Sequence, residues 1–169
     1  MNLYVFELIR SLTPTRIERI REESLQQIQR IQIEVDRSVS TGVHLFGWND
    51  RRLVSGDAVI FYFTKRFPFL TKDELTQRTW SMYSQFQNLK RIYDRVLSAE
   101  TLYEFDEHTT LNAHEECHPE DPTLSCRLFT LRFRIQLTDA SVVGRKTVDT
   151  QDLHTNSFLS QIINKTQGR

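Results

Sequence analysis

An α+β fold is predicted: two long amphipathic helices packed on an antiparallel sheet, with a long C-terminal hairpin and a short closing helix. Three observations predict it. Ile17, Ile20, Ser24, Ile28, Ile31 and Val35 recur at steps of three and four, and Leu75, Thr79, Met82, Phe86, Leu89, Tyr93 and Val96 do the same. Phe129, Leu131, Phe133, Ile135 and Leu137 then alternate with polar residues, the period of a strand with one oily face.

Taken in order, the first helix spans Thr13 to about Val39. Thr13 supplies an N-cap oxygen, Pro14 occupies the first helical position where a missing N–H costs nothing, and Gly42 lies beyond the end. From Val43 to Leu70 aromatics are dense and Gly47, Asn49, Asp50 and Gly56 are turn formers, which predicts a tight hairpin. Ala58 to Phe63 is apolar on both faces, so residues 57–66 read as strand or helix, and their β-branched and aromatic content tips the choice toward strand.

Thr71 and Glu74 have capping-box spacing, with Leu70 and Leu75 placed as a hydrophobic staple, so a second helix is predicted over 71–98. At about 1.5 Å per residue it runs roughly 40 Å. A long hairpin of Thr101–Leu111 with Arg127–Asp139 follows. Its expected register sets Phe105 opposite Phe133 and Tyr103 opposite Ile135 inside, with Asp106 opposite Arg132 and Glu104 opposite Arg134 outside. Val142 to Thr150 reads as a third strand and Ser157 to Lys165 as the closing helix.

At 169 residues, a single domain over 1–169 is expected. Twenty-two basic side chains balance twenty-two acidic ones, which removes any global field toward nucleic acid or an anionic membrane. No apolar run approaches the roughly 18 residues of a membrane span. The leading MNLYVFELIR has no basic leader and carries Glu7, so a soluble, intracellular, cytoplasmic protein is expected.

The stretch HEECHPEDPTLSC, residues 114–126, holds both cysteines and reads chiefly as the solvated loop of that hairpin. His108, His114, Cys117 and Cys126 form a zinc-capable set, but the spacing matches no standard finger, so no metal and no cofactor are assigned. Whether Cys117 and Cys126 are bonded, metal-bound or free stays open; a disulfide would need an oxidising compartment. Lys65, Arg66, Phe67, Arg127, Arg145 and Lys146 form a basic and aromatic set of the kind that serves single-stranded nucleic acid, but the neutral net charge argues against that role.

The stretch LFGWNDRRLVSGDAVIFYF, about a ninth of the chain, resembles the hairpin-to-helix passage of nuclear transport factor 2-like domains. The resemblance implies a helix over residues 57–66 and an Arg132 face lining a cone-shaped pocket. The chain departs from that family where residues 71–98 read as a long helix rather than passing quickly into strands, and the α+β reading above is retained.

Phe61, Phe63, Trp80 and Tyr83 exceed what one core must hide, and with the heptad stripe they point to a protein interface, the partner being another protein or a second copy in a homodimer. The expected function is therefore a non-catalytic interaction or assembly module, with no membrane. The alternative is a small cofactor-free enzyme or ligand-binding domain using Glu104, Asp106, His108, Arg132 and Arg134, acids and a histidine beside an anion clamp. The balance of features is against an enzyme.

Overall fold

Thr13 and Pro14 act as the sequence suggests: the Thr13 hydroxyl accepts from the Arg16 amide at 3.3 Å, and a helix starts at Pro14. In the computed structural model, which describes residues 3–35, 37–42, 44–55, 58–118, 120–121, 123–148 and 159–165, that helix is α2, Pro14–Val35. A shorter helix, α1 (Leu3–Ser11), precedes it, with Val5 and Leu8 buried. The chain then forms β1 (His44–Leu45), β2 (Trp48–Ser55), β3 (Ala58–Thr64), α3 (Lys72–Ser84), α4 (Phe86–Ile92), β4 (Val96–Asp106), β5 (Thr109–Cys117), β6 (Ser125–Gln136), β7 (Ala140–Thr147) and β8 (Leu159–Lys165). The α+β class and the antiparallel sheets are as expected; the helix count and the hairpin are not. Two compact units result, one of residues 1–21 and 71–169, the other of residues 22–70.

The larger unit carries a five-stranded antiparallel sheet in the order β4-β5-β6-β7-β8. Here the expected hairpin is corrected. Thr109–Cys117 enters as a strand between the two expected partners, so Phe133 lies opposite Thr109 and Arg132 opposite Thr110, not opposite Phe105 and Asp106. The turn that permits this is built by a side chain: Asp106 accepts from the His108 amide at 2.7 Å, closing the chain back within two residues without glycine. The true loop of the next hairpin is only residues 118–124, closed by the His118 amide on the Leu124 carbonyl at 2.8 Å.

Side-chain parity survives the correction, because a register shift by an even number keeps each face. Leu111, Leu131 and Phe133 lie on one face and are fully buried against Leu8 of α1, Leu12 of the link that follows, and Ile17 and Ile20 of α2. Gly144, opposite Phe133, leaves the space that the ring fills: a Cβ there would sit 2.6 Å from ring atoms Cε2 and Cζ. The other face of the sheet is also covered. Trp80 of α3 lies over Arg132 and Arg134, and Tyr83 and Tyr93 lie over Arg145, so the sheet is an inner layer between two helical ones.

Two helical expectations are corrected. The capping box forms, with the Glu74 amide on Thr71 Oγ1 at 3.2 Å and the Thr71 amide on Glu74 Oε2 at 2.9 Å. These bonds hold the Glu74 carboxyl below its ordinary pKa. The helix nevertheless breaks at Gln85, which is extended (φ −107°, ψ 126°), and ends at Ile92, so the 71–98 rod is two helices and the start of β4. Thr76 and Thr79 bond back to the carbonyls of Lys72 and Leu75, a type of bond that slightly destabilises a helix. The closing helix over 157–165 is corrected to β8, which pairs with β7 from Ala140↔Lys165 to Lys146↔Leu159; residues 157 and 158 lie outside the described set.

The smaller unit holds the sheet β1-β2-β3 and the rest of α2, which stops at Val35 rather than Val39. Residues 58–64 form β3, so the helix implied there by the nuclear transport factor 2-like resemblance is not formed. Phe46 (φ 51°) and Gly47 (φ 78°) make the two-residue turn from β1 to β2, both at positive φ as a type I′ turn demands. Arg51 of β2 donates to the Val35 carbonyl at 2.7 Å, tying the strand to the helix end.

Candidate functional site

Two places in the structure carry features beyond folding. The first is one face of the three-stranded sheet. Register sets Arg52 opposite Phe61, Val54 opposite Val59 and Asp50 opposite Phe63, so these six side chains share a face. Val54 is 68% exposed, Val59 52%, Phe61 59% and Phe63 61%. The two phenylalanine rings stack, with centroids 6.4 Å apart and planes 11° from parallel. Trp48 continues the row at the strand start, where Lys65 lies over its ring at 5.8 Å and donates to the Phe46 carbonyl at 2.6 Å.

The second is a cleft on the helix-covered face of the five-stranded sheet. Its enclosed volume is about 20 Å³, and Tyr83, Leu89, Glu100, His114, Arg132 and Arg145 are among its lining residues. Arg132 and Arg145 lie directly opposite each other on β6 and β7. Like charges in that position repel. The Arg132 guanidinium lies 4.0 Å from the centre of the Trp80 ring, and Arg145 lies 5.2 Å from Tyr93 and 5.8 Å from Tyr83. Such stacking on ring faces partly replaces the lost hydration of a guanidinium.

The electrostatics follow from burial. Arg132 is 4% exposed, and desolvation brings its guanidinium down to about 10, against the opposing pull of Glu104. Desolvation pushes the Tyr83 phenol up to about 12; the neighbouring Tyr93 adds to this, and Arg145 works against it. His114 is buried and its Nε2 lies 3.0 Å from Glu116 Oε1. Burial holds its imidazole below the ordinary value, the Glu116 carboxylate opposing and Arg145 reinforcing.

The sequence-derived candidates fall in part near one another: Trp80 lies over both Arg132 and Arg134. Arg134 donates from Nε to His108 Nδ1 at 2.9 Å beside the 106–109 turn, and Asp106 is spent on that turn. Glu104 is exposed and its charge acts on Arg132, which lines the cleft. Of the interface set, Phe61 and Phe63 are exposed, whereas Trp80 and Tyr83 face arginines of the sheet.

The zinc-capable set is separated by the pleat. Glu116 is opposite Cys126 and Cys117 opposite Ser125, so the two cysteines sit on opposite faces of the sheet; both thiols are free. Among the described residues, no group of three or more His, Cys, Asp or Glu side chains is placed to hold a metal ion. In the basic and aromatic set, Arg127 pairs with Glu100 and Arg145 lies in the cleft.

Sequence reasoning missed His114 as a strand residue and Arg145 as a cleft residue. The signal for Arg145 was its place within SVVGRKT, where a β-branched run puts it mid-strand. No helix among the described residues is long and apolar enough to cross a membrane. Compared with known proteins, the chain matches no family model, no curated protein and no solved structure.

Proposed function

We propose that this chain is a non-catalytic assembly module that pairs with a second copy of itself through the exposed face of the three-stranded sheet. One observation carries the proposal: Val54, Val59, Phe61 and Phe63 form a continuous apolar row on adjacent strands, each more than half exposed. Contiguous exposed apolar surface of this kind marks interaction sites, whereas scattered single residues do not.

The pattern of charge on that face favours a second copy as the occupant. Asp50 and Arg52 alternate with Trp48 and Val54 along β2, so the face carries one charge of each sign among its apolar side chains. A twofold interface uses the same patch twice and needs this self-complementarity. The formal net charge of zero leaves no overall repulsion between copies.

Light scattering across a concentration series tests the proposal. The expected result is a mass rising toward that of two chains, and a monomer for the Phe61→Ser/Phe63→Ser variant. A wild-type monomer throughout, or a dimer indifferent to the double substitution, would overturn it. Retention on an immobilised single-stranded oligonucleotide by a monomeric wild type would assign the face to nucleic acid instead.

A further inference from the structure

We propose that two turns at one end of the three-stranded sheet dock on an anionic lipid surface and insert Phe46 and Phe69 into it. Register brings the turns together: Leu45 pairs with Trp48 and Asn49 with Thr64, so the turn at Phe46 and Gly47 lies at the end of the sheet where the chain leaves β3. That leaving segment turns again at once, with the Leu70 amide on the Phe67 carbonyl at 3.3 Å and Pro68 and Phe69 at the centre. Turn centres ordinarily hold Gly, Asn, Asp, Ser or Pro. Here each turn also carries a phenylalanine, Phe46 being 83% exposed and Phe69 94%. Phe46 moreover sits at φ 51°, a region that a bulky residue enters under strain and that Asn or Gly fills readily at this turn position. Strain that holds an apolar ring in water gives the fold nothing, and strained residues collect where something is bound.

The chemistry of this end favours lipid as the occupant. Residues 44–48 and 64–70 contain Lys65 and Arg66 and neither Asp nor Glu, so a chain without net charge is cationic here. Lys65 joins the two turns: it donates to the Phe46 carbonyl at 2.6 Å and lies over the rings of Trp48 and Phe67 at 5.8 and 5.3 Å, and those rings meet edge to face. Two nearly free phenyl rings beside a tryptophan and two cations match the layers of a bilayer surface, acyl chains for the rings and anionic headgroups for the indole and the charges. Each cation adds about fivefold at such a surface, and the buried rings add more. Nucleic-acid binding, led by phosphate contacts, has the reverse balance. The contact lies in the plane of the interface and needs no spanning helix.

Co-sedimentation of the full chain with vesicles tests this, using equimolar phosphatidylcholine and phosphatidylserine beside phosphatidylcholine alone. The wild type is expected to pellet with the mixed vesicles and less with the neutral ones. Phe46→Asn is expected to weaken binding at least about tenfold, the effect of one buried phenyl ring. Its melting temperature should be unchanged or higher, because asparagine suits the left-handed turn position. Phe69→Ser, at a side chain almost wholly in water, should weaken binding to a like extent with unchanged melting, and it serves if the asparagine variant does not fold. Arg66→Gln, also exposed, should lower binding to the mixed vesicles about fivefold. Light scattering should give each variant the mass of the wild type; loss of lipid binding only together with a change of mass would place the rings in the pairing of copies and overturn the proposal. So would a wild type that does not sediment with the mixed vesicles, or equal binding by wild type, Phe46→Asn and Phe69→Ser. Retention on an immobilised single-stranded oligonucleotide without vesicle binding would overturn it in favour of nucleic acid.

Discussion

Replacing Gly144 by alanine tests the sheet register through a single methyl group. The added Cβ would lie 2.6 Å from Cε2 and Cζ of Phe133 and 3.3 Å from Cε1. That ring cannot swing aside, because it is fully buried in a cluster with Leu8, Leu12, Leu111 and Leu131. Overpacking of this kind costs about 1–3 kcal/mol. The shorter list of unfolded conformations open to alanine offsets about 0.4–1 kcal/mol. A net loss of about 1–2 kcal/mol is expected, which at roughly 2–4 °C per kcal/mol for a chain of this size lowers the melting temperature by about 2–8 °C.

Urea denaturation of Gly144→Ala, Phe133→Leu and the double variant separates this effect from general damage. Leucine lacks the ring atoms that would clash, so the pair should be non-additive, the double variant being more stable than the two single losses predict by about 0.5–3 kcal/mol. Strict additivity, or a Gly144→Ala loss below about 0.5 kcal/mol, the scale of ordinary surface substitutions, would refute the pairing of Phe133 with Gly144. The alternation of β6 against α1 and α2 would then have to be redrawn.

Three further outcomes follow from the same geometry. His114 is held neutral by burial below its ordinary value of 6.5, so the unfolded chain takes up a proton before the folded one does. Stability should therefore fall as pH drops below about 6.5, and His114→Gln should flatten that slope in denaturation curves taken across the range; an unchanged slope would count against a buried neutral imidazole. In ultraviolet titration Tyr83 should ionise only near pH 12, with stability fully present below the ordinary 10 and lost between the two values, and Tyr83→Phe should remove that late step. Mild oxidation of the monomer should leave Cys117 and Cys126 both titratable as free thiols, because the pleat turns them to opposite faces; an internal disulfide detected by mass spectrometry would contradict the β5–β6 register.

How far the fold was legible depended on the kind of signal. Caps were readable because their chemistry is local: Thr13 with Pro14 and Thr71 with Glu74 act where the sequence places them. Inward parity of Leu131 and Phe133 was readable because the strand period is two whatever the partner. The partner was not. Thr109–Cys117 contains Thr110, Asn112 and His114 where one face of a strand is usually apolar, and only the helices α3 and α4 make that polar face an interior one. The 106–109 turn carries no glycine or proline, and its signal was the Asp106 side chain.

The break at Gln85 was hidden for a related reason. The apolar stripe resumes at Phe86 and Leu89 in nearly the same phase, so periodicity reports one rod where there are two. In Leu159–Lys165, apolar residues sit at spacings that suit either period, and pairing with β7 decides for strand. Of the functional features, the exposed Phe61 and Phe63 were legible as apolar surplus. The cleft was not, since Arg132 and Arg145 meet only through the β6–β7 register, thirteen positions apart in the chain.

The central claim is that the face of β2 and β3 joins two copies, and sedimentation equilibrium of wild type beside Phe61→Ser/Phe63→Ser tests it most directly. At about 150–250 Å² per fully buried aromatic side chain, the exposed parts of Phe61 and Phe63 offer roughly 200 Å² per copy. Two copies then gain about 10 kcal/mol at about 25 cal/mol per Å² before the cost of association. The account predicts reversible dimer for the wild type and monomer for the variant at the same chain concentration of about 100 μM, both with unchanged circular dichroism. Identical masses for the two proteins, whether monomer or dimer, would contradict it.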